Sequence, residues 1–529
     1  MLAFTAKSTD TSILTLSPDI KHLLSRTLLL SPDEKHSVFI GKSRKQIVDI
    51  LLKYDPVANS LPLKDYDAVQ AEQPDVRVAF GKTWIYDVNH DSNINEKRKN
   101  SLINWIVGSL CKDDPDSLMP RMFLFWADFF DMQLSKIPFA PKAFRHFDLI
   151  RNHALGNYAD LLTEIIADPG MIYYYRKLVP GEKRIFEFAT QQLAGKLSGH
   201  IDDTSRLSRE KLRKLARIIN KWHFICDNAD LHYPNLKPLD IYKEENKQYY
   251  DAYFNRSGAR EVLEELRNLI NSVLDFQTAL SLTERLFENF LTKEKKPEYV
   301  QKLIIPAAEA FYHSKFEICD WLREFFTNDV FAKPELRHGL IKMPIEFLIK
   351  LSYQLRIIKP SMVEIENYNY WEWLSYNASR LGQNLFGSQK ASEVNSETII
   401  DQRNGLISSK MQQARFMTIE RLLETGYIMN DRIEFINLFD LIKEFRNPAD
   451  PMELIDEAVE KFFDKPIRTS QKRLLVETCL LDGKKDYYSW THLWNEATIN
   501  DKKEAKILLS EKLKSLLKFL LIQPEYNFY

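Results

Sequence analysis

From Ile150 to Ile166 the apolar positions Ile150, Ala154, Tyr158, Leu161, Leu162, Ile165 and Ile166 recur three and four apart. That spacing gives an α-helix one apolar face. Asp168-Pro169 reads as a stop and a fresh start, since Asp caps orphan amides and Pro tolerates the first helical turn. A second run then passes through Met171, Ile172 and Tyr173 to Tyr175. The same periodicity predicts helices over 20–27 (behind Ser17-Pro18-Asp19), 42–52, 96–110, 183–197 and 208–224. Ser31-Pro32-Asp33-Glu34 repeats the start signal, and 257–325 reads as three or four further helices. Helical patterns continue over 341–355 and 370–380 and from Gln412 to the end, where Leu509, Leu513, Leu516, Leu517, Leu520 and Leu521 form a broad apolar face. The run 121–134 is apolar nearly all round, which predicts burial on most sides.

Between these runs lie irregular stretches at 1–17, 55–95, 227–254 and 388–410, the last polar enough to be expected as a mobile loop. The predicted class is all-α: a large multi-helix orthogonal bundle with long irregular loops. Its expected organisation is a tail at 1–19, a main helical domain at 20–385 with a central block at 121–224, a polar loop at 386–411, and helices at 412–529 packed on the same body. No fixed-period repeat stands out, which argues against a solenoid. Only 15 glycines accompany 32 Phe, 23 Tyr and 9 Trp, a balance suited to broad helix–helix contacts.

Charge narrows the partners. A formal net charge of -1 offers no general attraction to nucleic acid. The first twenty residues lack a basic start followed by an apolar run, so neither an export signal nor a membrane span is predicted, and the compartment stays open. Cys111, Cys226, Cys319 and Cys479 lie far apart and read as isolated core residues.

The motif search is mostly negative. His-Glu-x-x-His, Cys-x-x-Cys, Gly-x-Ser-x-Gly and a dinucleotide fingerprint are all missing, and Gly81-Lys82-Thr83 lacks the glycine-rich turn of a phosphate loop. His146 and His153 are seven apart, two turns along one helix side, but a metal there needs further ligands. Asp128 sits on the nearly apolar run Phe125–Phe130 and must be paired if buried, with Arg151 the natural candidate. Arg121, and Lys82 with Trp84, are candidates to line a pocket. The cluster Tyr368-Asn369-Tyr370-Trp371-Glu372-Trp373 reads as core or protein contact. Arg151-Asn152-His153-Ala154-Leu155-Gly156-Asn157-Tyr158 places polar groups beside a Gly that allows another backbone to approach.

In their order these motifs resemble a large bacterial family, domain of unknown function 1800. Its members carry a Phe-Trp-His-Asn-His-Phe helix, an Arg-x-His-Ala-Leu-Gly-Asn-Phe helix ending in Asp-Pro-Ala-Met, and an Asn-Glu-Asn-Tyr-Ala-Arg-Glu-Leu-x-Glu segment. The match is strongest from Arg151 to Met171. Pro62 to Tyr66 and Gly81 to Trp84 resemble the version found in Bacteroidetes. Ala216-Arg217 to Trp222 is similar to the family's Gly-Trp motif, with Lys221 in place of glycine. Lys342, Pro344 and Glu346, then Gly382-Gln383 to Phe386, and Pro524-Glu525-Tyr526 follow in the family's order.

The departures bear on function. Ala127-Asp128-Phe129 stands where the family has His-Asn-His. With Phe188 and Ala189 aligned to the Tyr and Ala, Thr190 replaces Arg, Gln191 replaces Glu and Ala194 replaces the second Glu. Two histidines and two carboxylates that could bind metal or shuttle protons in a typical member are therefore gone. The resemblance implies a catalytically inactive helical scaffold or protein-binding component, with no cofactor, no metal and no nucleic acid, and with a protein partner, since typical members are encoded beside a second uncharacterised family. Arg151, His153, Asn157, Trp126 and Trp222 are the expected structural or ligand-contact residues. The alternative is a hydrolase-type or metal-dependent enzyme using Asp128, His153 and Glu187.

Overall fold

The computed structural model describes residues 16–30, 38–53, 61–67, 74–87, 89–112, 116–168, 170–171, 174, 195, 209–227, 259–337, 339–357, 361–387, 409–429, 432–463 and 467–529. The predicted start at 31–34, most of the helix at 183–197, all of the loop at 227–254 but Asp227, which ends a helix, and most of the loop at 388–410 lie outside them. Within them the protein is an all-α multi-helix bundle with one two-stranded sheet.

Local signals set the first helices. Helix α1 (Pro18–Thr27) begins with Pro at its first position and buries Leu23 and Leu24. Helix α2 (Arg44–Leu51) opens on a reciprocal capping box between Ser43 and Gln46. Helix α3 (Ser92–Lys112) starts four residues before its predicted start, because the Asp91 carboxylate accepts from the Asn93 and Ile94 amides at 2.7 and 3.1 Å. Helix α4 (Met119–Phe130) buries Met122, Phe123, Phe125, Trp126, Phe129 and Phe130, as its all-round apolar pattern requires.

The apolar stripe from 150 to 166 is not one helix. Helix α5 (Ala140–His153) stops, the chain turns through 154–157, and helix α6 (Tyr158–Ala167) begins. Asn157 makes the break. Its side chain accepts from the Ala159 and Asp160 amides, which favours a new helical start over continuation.

Helix α7 (Arg209–Asp227) leads to a second set of helices: α8 (Ala259–Val273), α9 (Phe276–Phe290), α10 (Ile305–His313, entered through a π turn at Val300–Ile304) and α11 (Ile318–Thr327). These four fall within the three or four helices predicted for 257–325. They also repeat earlier ones. Moving 160 residues along, the separation of Asn157 and Glu317, brings the end of α4 onto the end of α9 and the end of α5 onto the end of α10. The same shift superposes both ends of α6 on those of α11. The two corners dock reciprocally: the Tyr158 amide donates to the Phe316 carbonyl and the Ile318 amide to the Gly156 carbonyl, each at 2.9 Å. Asn157 and Glu317 face each other in an antiparallel bridge between them. Such reciprocity is what a local two-fold axis produces.

Helices α12 (Pro344–Gln354) and α13 (Tyr368–Arg380) follow. Tyr368, Tyr370 and Trp371 are buried, so this aromatic cluster is core. Trp371 lies against α3 at Gly108, where an added Cβ would sit 2.6 Å from its ring. Gly108→Ala is therefore expected to destabilise the fold by about 1–3 kcal/mol through overpacking, read as a lower urea midpoint at unchanged slope.

After α14 (Ser409–Glu424) the chain departs from the helical expectation. Strands β1 (Tyr427–Met429) and β2 (Arg432–Glu434) pair antiparallel, with Ile428 opposite Ile433. Gly426 permits this: its φ is +77°, and a Cβ there would lie 2.2 Å from the Glu434 carbonyl oxygen. Helices α15 (Leu438–Lys443), α16 (Pro451–Phe462), α17 (Thr469–Leu475), α18 (Tyr488–Thr498) and α19 (Lys503–Leu521) complete the bundle. One continuous apolar core holds residues from Ile20 to Tyr526.

Candidate functional site

Helix α4 positions the central candidates. Trp126 is fully buried, stacks on Tyr158 at 5.4 Å between ring centroids, and donates its indole N–H to the Ala154 carbonyl at 3.0 Å. Asp128 pairs not with Arg151 but with Arg285 of α9 at 2.9 Å, and that guanidinium also lies over the Phe129 ring. The pair braces one helix set to the other.

Arg151 instead places its guanidinium over the Trp105 ring on α3. Its charge also opposes the effect of burial on Asp148, whose carboxyl is pushed up to about 6. A carboxyl raised above its unfolded value of 3.8 binds its proton more tightly in the folded state. Its contribution to stability is complete below about pH 3.8 and is lost as the pH rises through about 6. Asp148→Asn is expected to remove that loss, so parent and variant diverge in stability between about pH 4 and 6. Urea titrations across that interval check it.

His153 ends α5 half-buried, and burial holds its imidazole below the usual range while Asp160 opposes the shift. Asn157 is fully engaged: besides capping α6, its amide donates to the Lys315 carbonyl and the Glu317 carboxylate, each at 2.9 Å. Lys315 and Phe316 both have positive φ, so Asn157 steadies a costly backbone turn. Gly156 does admit the neighbouring backbone, but a Cβ there would meet nothing closer than 3.6 Å.

The two histidines of α5 diverge. His146 is fully buried with Nδ1 2.9 Å from an Asp168 carboxylate oxygen, while Asp168 also accepts from the Gly170 and Met171 amides at 3.2 and 3.3 Å. A carboxylate acceptor holds a ring proton on Nδ1. Among the described residues Nε2 has no hydrogen-bond partner. The sequence suggested the capping role of Asp168 but not this imidazole partner. Among the described residues no three His, Cys, Asp or Glu side chains come together as a metal-binding group. Glu187 and the side chain of Trp222 lie outside the described residues. Cys479 is buried, and Cys111 and Cys319 are half-buried.

A second polar centre lies at the start of α4. Arg121 bonds to Glu346 of α12 and to the Tyr529 hydroxyl, and donates to the Leu28 carbonyl at 3.1 Å. Glu346 also accepts from the Met343 amide at 2.8 Å and from the Tyr529 hydroxyl at 3.1 Å. Lys342 donates to the Tyr526 and Phe528 carbonyls at 2.6 and 2.7 Å, and Arg415 to the Lys342 carbonyl at 2.6 Å. Gln383 accepts from the Ile345 amide at 2.8 Å. Lys342, Glu346, Gln383 and Tyr526 were noted in the sequence only as separate stations, and folding brings them together. Trp84 is core, its indole N–H bonded to the Ser101 hydroxyl at 3.1 Å.

A family model described as "Protein of unknown function (DUF1800)" matches residues 22–177 and 212–528. The chain belongs to this family. No curated protein and no solved structure matches it. Apart from Tyr529, both polar centres lie inside the DUF1800 segments, whereas Glu187 and the Thr190, Gln191 and Ala194 replacements fall in the unmatched interval. Among the described residues no helix is long and apolar enough to cross a membrane.

Proposed function

We propose that this DUF1800 protein is a non-catalytic helical scaffold that binds a protein partner. The observation that carries the proposal is the Asp128–Arg285 pair. Where typical members have His-Asn-His this chain has Ala127-Asp128-Phe129, and Asp128, at the asparagine position, ties α4 to α9. Asn157 makes a comparable tie between the two docked corners. Side chains spent in this way hold a frame rather than meet a substrate. The rival reading is a hydrolase-type or metal-dependent enzyme using Asp128, His153 and Glu187. It draws some support from the buried His146–Asp168 pair, whose Nε2 has no hydrogen-bond partner among the described residues.

The test co-expresses the chain with the product of the gene beside its own, then measures native mass and turnover of ester, glycoside and phosphate substrates with and without added divalent metal. A complex of fixed stoichiometry, with no turnover that depends on Asp128 or His153, is the expected result. Turnover abolished by Asp128→Asn and His153→Ala at unchanged melting temperature would overturn the proposal. A charge swap checks the brace itself. Asp128→Arg and Arg285→Asp are each expected to cost about 3 kcal/mol, and the double swap to recover much of it.

A further inference from the structure

The hairpin after α14 forms the one sheet among the described residues. Ile428, Ile433 and Phe435 are 66%, 62% and 66% exposed, values that leave three large apolar side chains close together in solvent. Ile428 and Ile433 are cross-strand partners and so share a face, and Phe435 follows directly after the end of β2. The hairpin is anchored on one side only. The Tyr427 ring lies against Trp373 of α13, and its hydroxyl lies within hydrogen-bonding distance of the Ile357 carbonyl. Strand β2 is exposed at all three positions, and among the described residues no further strand pairs with it.

Edge strands are usually blunted by charge, and Arg432 and Glu434 flank Ile433 here. Their order does more than blunt the edge. In an antiparallel pairing of β2 with itself, centred on Ile433, Arg432 of each copy lies opposite Glu434 of the other. Ile433 then meets Ile433. Opposite charges directly across a ladder stabilise it, and like charges destabilise it.

From this pattern we infer that β2 is the contact edge of a homodimer, in which the hairpins of two copies form a four-stranded sheet across a two-fold axis. The inference is independent of the scaffold reading, since either a scaffold or an enzyme could dimerise in this way. Two three-residue strands with their apolar flanks make an interface below about 1,200 Å², which places the dimer in the weak class.

Sedimentation equilibrium of the full chain from about 1 µM to about 1 mM tests it, a range that spans weak association. The unaltered chain is expected to shift from monomer to dimer. Arg432→Glu and Glu434→Arg, each alone, set like charges opposite one another twice per dimer and are expected to raise the dissociation constant about tenfold or more. Mixing the two variants is expected to give heterodimer, because each supplies the charge the other lacks. The double swap is expected to restore homodimer. All of these changes are at exposed positions, and unchanged circular dichroism and melting temperature confirm that the fold is kept. A chain that stays monomeric throughout, single reversals that leave the dimer intact, or a mixture that fails to associate would each overturn the inference.

Discussion

Glu346→Ala is expected to lower stability by about 3–5 kcal/mol, the range for removing one partner of a buried ion pair. Arg121 and Glu346 are both buried, and the carboxylate serves Arg121, the Met343 amide and the Tyr529 hydroxyl together. Its loss leaves the Arg121 guanidinium with a hydroxyl and backbone carbonyls but no counter-charge. Arg415 adds to the penalty. Burial already pushes its guanidinium down to about 10, against the opposing influence of Glu346. Glu346→Gln keeps an acceptor for the amide and hydroxyl and is expected to cost less. Replacing Arg121 and Glu346 together by Met and Leu is expected to cost less than Glu346→Ala alone, since no unpaired charge is left buried. Urea unfolding of the three variants decides the matter. A loss under about 1 kcal/mol in Glu346→Ala would mean that the centre is solvated and the pair is not holding the fold.

Trp126→Ala is expected to cost a further about 3–5 kcal/mol, the usual range for truncating a large buried aromatic. The indole fills space among Phe125, Phe129, Phe130, Tyr158 and Trp321, and its N–H satisfies the Ala154 carbonyl. Trp321 belongs to α11, so the cavity would open between the two repeated helix sets. Trp126→Phe keeps most of the apolar volume and loses the hydrogen bond, and a drop of about 1–2 kcal/mol is expected. If both variants match the parent in unfolding midpoint, the two sets are not joined through this aromatic centre.

Most helices were legible because period and caps agreed. For α1 the legible signal is Pro18 at its first position, though Ser17 makes no side-chain capping bond; for α2 it is the apolar period alone, and the Ser43–Gln46 capping box went unread. The break between α5 and α6 was hidden because the apolar spacing continues across it, and Asn157 overrides the pattern through two capping bonds. The hairpin was missed for a related reason. Its strands are three residues long, too short for alternation to register, and only Gly426 marks the departure. The repeated corners share few side chains: His153 and His313, Asp160 and Asp320, Leu162 and Leu322, and Glu164 and Glu324 coincide, but Tyr158 meets Ile318 and Leu161 meets Trp321. Burial at these positions is kept in such a pairing while identity and volume are not, so the repeat shows in bond geometry before it shows in letters. The buried polar groups were the hardest to place. Asp128 had a visible need for a cation, but its partner comes from 157 residues away.

The Arg121 centre also constrains how the molecule comes into being. The bond from Arg121 to Tyr529 spans 408 residues, that from Arg26 to the Leu336 carbonyl spans 310, and that from Lys342 to Tyr526 spans 184. Loops of this size close slowly, because their entropy is lost before the contact repays it. A growing chain on the ribosome can assemble the repeated helix sets early. It carries Arg121 and Glu346 without their Tyr529 partner until residues 524–529 have been made. Closure of this centre therefore comes after the helices around Arg121 and Glu346 have been made, and the interval before it is when they are most exposed to misassembly and proteolysis.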